Sequence, residues 1–220
     1  MTEPLTLCCI KKGTKYGADY VNILASMIRK NVKEVSYEFV CFTEDSSGII
    51  PGVRIEPLPY DGNSWWTKMG LYLPEIPGVH TKRLVFFDLD VVVTGCLDEL
   101  LLQEEDLMMA KDWPTGIWPK SDRQDRDGNS SVLSIRVGSR AHIWRRYLSA
   151  GCPTKANDGD QEWVNRMFPG QVKLMPERFV QSYKLHHLEG ETIPDCSVVM
   201  FHGEPKPPQC GGWVRRLWVV

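Results

Sequence analysis

Long apolar runs are missing from this chain: nothing in its 220 residues approaches the roughly 20 consecutive apolar positions that a membrane-spanning helix needs. Met1 to Ile10 carries Glu3 and Pro4 and too short an apolar stretch for a signal peptide, so no targeting or transmembrane segment is expected. An excess of charge of one sign is missing too. With 26 basic and 28 acidic side chains the formal net charge is -2 and the pI about 6.2, which gives no general attraction to nucleic acid. Basic residues do gather at Lys11 to Lys15, Arg136 to Arg146 and Arg215-Arg216. They read as solvated faces, with a nucleic-acid acceptor the less favoured alternative. The seven cysteines (Cys8, Cys9, Cys41, Cys96, Cys152, Cys196, Cys210) are odd in number, scattered and never spaced C-x-x-C. This argues against a zinc ribbon or a disulfide framework and for a reducing, cytoplasmic compartment. Internal repeats and linkers are lacking as well, and an apolar fraction of 42% with 25% charged residues suits a soluble chain. One domain over residues 1–220 is the expected division.

What is present alternates. Leu5 to Ile10 reads as a buried strand, followed by a turn-like basic stretch and a helix over Ala18 to Arg29 with apolar residues at helical spacing. Tyr37 to Phe42 and Gly52 to Leu58 read as further strands, Trp66 to Tyr72 as a short helix, and Leu84 to Phe87 as another strand. The stretch Trp113 to Asn129, rich in Pro, Gly, Asp and Lys, reads as a long surface loop. Ser131 to Val137 follows as a strand and Ala141 to Leu148 as a helix. A second helix, capped by Asp158 to Gln161, runs through Phe168 to Pro169-Gly170, and Ser197 to Phe201 is a final strand. Such alternation predicts an α/β fold with a mainly parallel mixed sheet flanked by helices, whose ligands lie outside the carboxyl ends of the strands. The last residues, about 208–220, carry Trp213, Trp218 and two arginines and read as a docking segment against the protein's own body, a twin subunit or a membrane surface.

The chemistry centres on Phe87-Asp88-Leu89-Asp90. If the strand continues, Asp88 and Asp90 share a face, and two like charges there are costly unless a cation relieves them. Divalent Mn²⁺ or Mg²⁺, which favour hard oxygen ligands, are the economical explanation; a solvated acidic turn is the bland one.

Taken in order, a tyrosine-containing loop at Tyr16, Ala25-Ser26-Met27, Thr67-Lys68, Phe87 to Asp90, Asp98-Glu99-Leu100, Asn129-Ser130-Ser131-Val132, Gly159-Asp160-Gln161 with Asn165, and Gly203-Glu204-Pro205-Lys206-Pro207 resemble the retaining nucleotide-sugar glycosyltransferases of the glycogenin and lipopolysaccharide-galactosyltransferase type (glycosyltransferase family 8-like). The resemblance covers nearly the whole chain. It implies a GT-A fold, a UDP-sugar donor, a glycan or other hydroxyl acceptor, and a metal held by Asp88, Asp90 and His202. It also implies base and ribose contacts at Cys9, Ile10, Lys11 and Tyr16, and donor contacts at Lys68, Leu89, Asn129, Ser130 and Gly203. Asp160 and Gln161 would lie beside the anomeric carbon and Lys206 on the β-phosphate, these three forming the catalytic group; Asp112 falls at a position often near the sugar. A helix N-cap is the plainer role for Asp160, and Trp65 and Trp66 could stack on a sugar face or form a buried aromatic pair.

The chain departs from that pattern in two places. The metal-binding histidine usually lies six residues before the motif lysine, where this chain has Met200; His202 lies four before and, facing the same way in an extended strand, would take over. Ser131 replaces a glycine that often follows the Asn-Ser pair. Two rival readings stand beside the transferase: a haloacid-dehalogenase-like phosphohydrolase using Asp88 and Asp90, and a sugar-nucleotide-binding protein that has lost catalysis. A homo-oligomer through the C-terminal segment is a further expectation.

Overall fold

In the computed structural model, which describes residues 4–112, 128–154 and 159–220, the first apolar run forms β1 (Leu5–Lys11). Parallel partners flank it: β2 (Tyr37–Thr43) and then β3 (Arg54–Glu56) on one side, β4 (Arg83–Phe87) on the other. Beyond β4 the sheet continues through β7 (Gly128–Arg136), β6 (Leu107–Lys111) and β8 (Lys173–Leu174), giving the order β3-β2-β1-β4-β7-β6-β8. Only β7 runs antiparallel to its neighbours, so the expectation of a mainly parallel mixed sheet holds. A second, three-stranded sheet is made of β5 (Val91–Val93), β10 (Val198–Met200) and β9 (Val180–Ser182), in that order.

Strand alternation divides the interior into two cores. Leu7 and Cys9 of β1, Phe39 and Cys41 of β2, and Val85 and Phe87 of β4 face one, with α1 (Ala18–Asn31), the small sheet and Trp213. Cys8, Val40, Phe42, Leu84 and Phe86 face the other, with the 3-10 segment Ser64–Tyr72, α3 (Ala141–Ser149) and α4 (Asp160–Met167). Strands covered on both faces need apolar residues at every position, which is why these runs read as continuous rather than alternating.

Several boundaries shift from the expected ones. β3 shrinks to three residues between Gly52 and Pro57, because proline offers no N–H to a ladder. The helix expected over Trp66 to Tyr72 is a 3-10 segment. Gly128 and Asn129, expected in the long loop, open β7 instead; 113–127, with the rest of that loop, lie outside the described residues. At the C-terminus α5 (Gly212–Leu217) packs on the protein's own body: Trp213 is fully buried and donates to Leu188 O at 2.6 Å, and Trp218 meets Tyr20 edge-on at 5.2 Å. Among the described residues no helix is long and apolar enough to cross a membrane.

The Asp98-Glu99-Leu100 motif opens the short helix α2 (Asp98–Leu101), and its aspartate does structural work. The Asp98 carboxylate accepts the backbone N–H groups of Lys33 and Glu34 at 3.1–3.2 Å, tying the turn after α1 to α2. Burial would raise its pKa, but these bonds hold it below the ordinary carboxylate value. A depressed pKa contributes stability that is present at neutral pH and lost as pH falls through the folded value. Asp98→Asn should therefore cost about 1–3 kcal/mol at pH 7, with the difference shrinking below pH ~4, as read by urea unfolding across pH.

Candidate active site

The two acids do not lie on a strand. β4 ends at Phe87, and Asp88-Leu89-Asp90 form the turn that carries the chain from the seven-stranded sheet into β5 of the small sheet. Asp88 N–H still pairs with Ser131 O at 2.8 Å, and Val91 N–H closes the turn on Asp88 O at 3.4 Å. Leu89, expected to touch the donor, has its side chain buried in the core and anchors the turn, leaving the flanking carboxylates at the sheet's edge. Strand alternation was thus the wrong reason for placing Asp88 and Asp90 together.

Two lysines from distant segments close on them. Lys68 Nζ lies 2.8 Å from Asp88 Oδ1 and 3.1 Å from Ser130 Oγ; Lys206 Nζ lies 2.5 Å from Asp90 Oδ2. Tyr16 donates its hydroxyl to the same Asp90 oxygen at 2.7 Å. Burial opposes the charge on Lys68, yet Asp88, Asp160 and Asp90 together leave its pKa above the ordinary lysine value. The Tyr16 hydroxyl is pushed up by burial and by the Asp90 charge, so it acts as a donor.

β7 and α4 build the opposite wall. The Asn165 amide pairs with both backbone groups of Gly128, at 2.7 and 3.2 Å, and Gln161 Oε1 accepts Ser130 N–H at 3.2 Å, so the start of α4 is locked to the strand. Asn129 spends its side chain on its own strand, accepting Ser131 N–H at 2.9 Å. Asp160 is not the helix cap. That position is Gly159, whose N–H is taken by Glu162 at 2.8 Å. Asp160 is 2% exposed, and among the described residues its Oδ2 has no hydrogen-bond partner. Burial pushes its carboxyl up to about 6, against the opposing pull of Lys68 and Ser130.

The expected base and ribose contacts fall at the carboxyl end of β1, which runs parallel beside β4. The Cys9 side chain is buried in the core, and Lys11 is pinned to the end of β2 through Asp45 O at 2.9 Å. Ile10 packs at the edge of the second core. Gly203 has a left-handed φ of 66°, which favours glycine at this turn between β10 and Lys206. Tyr72 escaped the sequence reading. Among the described residues its buried hydroxyl has no hydrogen-bond partner, and its pKa is raised first by burial and then by the charge of Asp160. The period of three in Trp66, Met69 and Tyr72, all buried on a 3-10 segment, was the available signal.

For a metal, the described residues hold no group of three or more His, Cys, Asp or Glu side chains. His202, expected as third ligand, has Nε2 2.7 Å from Oγ of the fully buried Ser182. Met200, at the position where the pattern has histidine, is fully buried and pairs with Val91. Asp88 and Asp90 still offer hard oxygen donors on one turn, a set that fits a divalent ion held by two carboxylates and by oxygens of a bound ligand.

No protein-family model matches the chain, and no curated protein does. Solved structures do. The galactosyltransferase LgtC, in complex with donor and acceptor sugar analogs, superposes with a TM-score of 0.67 at 15% identity over 96% of this chain and 93% of that one. The glycosyltransferase GlyE of Streptococcus pneumoniae, in its apo form, gives 0.66 at 17% over 97% of this chain, and the bifunctional glycosyltransferase WbbM 0.64 at 16% over 94%. This chain spans 58% of GlyE and 47% of WbbM. Across almost its whole length, then, the chain has the GT-A fold of these glycosyltransferases.

Proposed function

We propose that the protein is a metal-dependent glycosyltransferase that moves a sugar from a UDP-sugar to a glycan or other hydroxyl acceptor with retention of configuration. The observation that carries this is the convergence of Lys68 and Lys206, 20 residues before Asp88 and 116 after Asp90, on the two acids at the carboxyl end of β4. Alternating cations and carboxylates at a sheet's carboxyl edge suit a ligand that brings its own negative charge, as a sugar nucleotide does. None of the neighbours named above is a phosphohydrolase, and no observation favours that rival.

Asp88 and Asp90 would hold Mn²⁺ or Mg²⁺, which when bound supplies Lewis-acid charge neutralisation to the diphosphate. Lys206 and Lys68 would turn from the carboxylates to phosphate oxygens and stabilise the charge that grows as the bond to the sugar breaks. The open oxygen of Asp160 would receive a sugar hydroxyl. Gln161 is a poor nucleophile, an amide whose oxygen already accepts Ser130 N–H, and Asp160 is 2% exposed, so we favour same-face displacement over a covalent step. Retention then follows from attack on the face the leaving group vacates. The acceptor oxygen bonds to the anomeric carbon, that carbon's bond to the phosphate oxygen breaks, and the acceptor proton passes to the departing phosphate.

The first test is thermal unfolding with UDP, GDP, ADP and CDP, each with and without Mn²⁺. UDP with Mn²⁺ at a hundred times its dissociation constant should stabilise by about 2.7 kcal/mol, a midpoint shift of roughly 5–10 °C that Asp90→Ala abolishes. No shift with any nucleotide would remove the reading's main support. Lys206→Ala should lower kcat by about 10²–10³-fold, and NMR of the product should show the donor's anomer. Asp160 gives a pH signature. Its folded pKa is raised, so its ionisation opposes folding above pH ~6 and is neutral to folding below pH ~4. Asp160→Asn should stabilise the free protein by about 2–3 kcal/mol at pH 7 and by little at pH 4, measured by urea unfolding.

A further inference from the structure

The two acids that would hold a metal are already neutralised by the chain itself. Lys68 Nζ spans both oxygens of Asp88, at 2.8 and 3.1 Å, and Lys206 Nζ lies 2.5 Å from Asp90 Oδ2, where the Tyr16 hydroxyl also donates at 2.7 Å. Both pairs are withdrawn from water: the side chains of Lys206 and Asp90 are 16% and 8% exposed, those of Lys68 and Asp88 11% and 26%. Salt screens such pairs far less than surface ones, and neither partner leaves without a replacement. Two carboxylates and two ammoniums sum to zero formal charge. A divalent cation approaching alone therefore finds no net attraction, and it meets two positive charges beside the oxygens it needs.

A diphosphate changes that balance. Its oxygens offer each ammonium another charged acceptor, so the lysines can leave the carboxylates and remain paired, and the two acids are then short of the positive charge that a divalent ion supplies. The lysines differ in how they are held. Lys68 also reaches Ser130 Oγ at 3.1 Å and lies over the Phe86 ring at 5.1 Å, so its place is set by β4 and β7 as well as by its acid. Lys206 comes from the loop after β10, three residues beyond the left-handed Gly203, and meets Asp90.

We propose that Lys206, supported by Lys68, locks the acid pair against metal ions in the free protein, and that a nucleoside diphosphate opens the lock by drawing the ammoniums onto its phosphates. Metal and nucleotide then bind as one coupled pair. This rests on the glycosyltransferase reading above and deepens it, since the ion enters with the diphosphate or after it. By linkage, the factor that UDP adds to the affinity for Mn²⁺ is the factor that Mn²⁺ adds to the affinity for UDP.

The experiment follows Mn²⁺ binding to the full chain by water-proton relaxation, alone, with uridine and with UDP, against protein-free blanks for Mn²⁺ held by UDP itself. Wild type, Lys206→Met and Lys68→Met are compared. Wild type should bind Mn²⁺ about tenfold or more weakly alone than with UDP, whereas uridine, which lacks phosphates, should leave the affinity within about twofold. Lys206→Met should bind Mn²⁺ alone about tenfold more tightly than wild type, with a smaller gain in Lys68→Met, and UDP should then add less than about threefold. Thermal unfolding gives a second readout: Mn²⁺ alone should raise the midpoint of Lys206→Met, where it replaces the lost ammonium, and leave that of wild type in place. Equal Mn²⁺ affinity of wild type with and without UDP overturns the proposal, as does a folded Lys206→Met that binds Mn²⁺ no better than wild type. No Mn²⁺ binding under any condition overturns it together with the metal assignment, while UDP binding in the same samples would leave the nucleotide donor standing. Tighter Mn²⁺ binding by Lys206→Met in a protein that binds no nucleotide would keep the lock and overturn the donor assignment instead.

Discussion

Three carboxylates, those of Asp88, Asp90 and Asp160, gather at one edge of the sheet, and the site depends on how their charge is met. Each is at least partly withdrawn from water, where like charges cannot all remain ionised without counterions. Lys68 answers Asp88 directly and reaches Asp160 through space, while Lys206 and Tyr16 converge on one oxygen of Asp90. Among the described residues Asp160 has no direct cation, and burial pushes its carboxyl up to about 6. The division is useful chemically. Two acids are each paired with a lysine that a bound ligand's own charge could displace, while the third is buried with its carboxyl pushed up to about 6.

This arrangement needs the chain to change sheets at one point. β4 belongs to the seven-stranded sheet and β5 to the three-stranded one, and the turn between them has only Asp88, Leu89 and Asp90 in which to cross. Burial of Leu89 fixes its direction. Lys206 then arrives from the far end of the chain, because β10 pairs antiparallel with β5 and delivers the Gly203 turn back toward Asp90. The aromatic contacts of Trp218 with Tyr20 and of Tyr20 with Tyr16 extend from the C-terminal residues to the same acid. The C-terminal segment thereby buttresses the loop that holds Tyr16.

Much of the fold was legible because it rests on local pattern: the apolar runs of β1, β2 and β4 and the helical spacing of α1 and α3 each carry their own signal. β7 was only partly legible, since its first residues, Gly128 to Ser130, look like loop and become strand through pairing with β6 and with Asn165. The acid pair was legible as a pair, but its geometry was not: nothing in Asp-Leu-Asp says that the strand stops at Phe87. Tyr72 and the exposure of Trp65 were invisible for a related reason. Both depend on the segment being 3-10, where a period of three replaces the helical 3.6, and that choice follows from packing against Tyr147 and α4 rather than from local propensity.

The Met200 and His202 pair shows where sequence analogy and physics part. Pairing with Val91 fixes the β10 register, so position 200 faces the fully buried interior, where a methionine packs without needing a partner and a histidine would need one. Two residues on, His202 Nε2 meets a buried hydroxyl of the adjacent strand, Ser182 Oγ, which itself requires a hydrogen bond. With the histidine engaged there, the groups that orient Asp90 are the ammonium of Lys206 and the phenol of Tyr16. Both are donors. A diphosphate entering this edge would therefore meet hydrogen-bond donors already aimed at an oxyanion, and the preorganisation resides in the protein's own side chains.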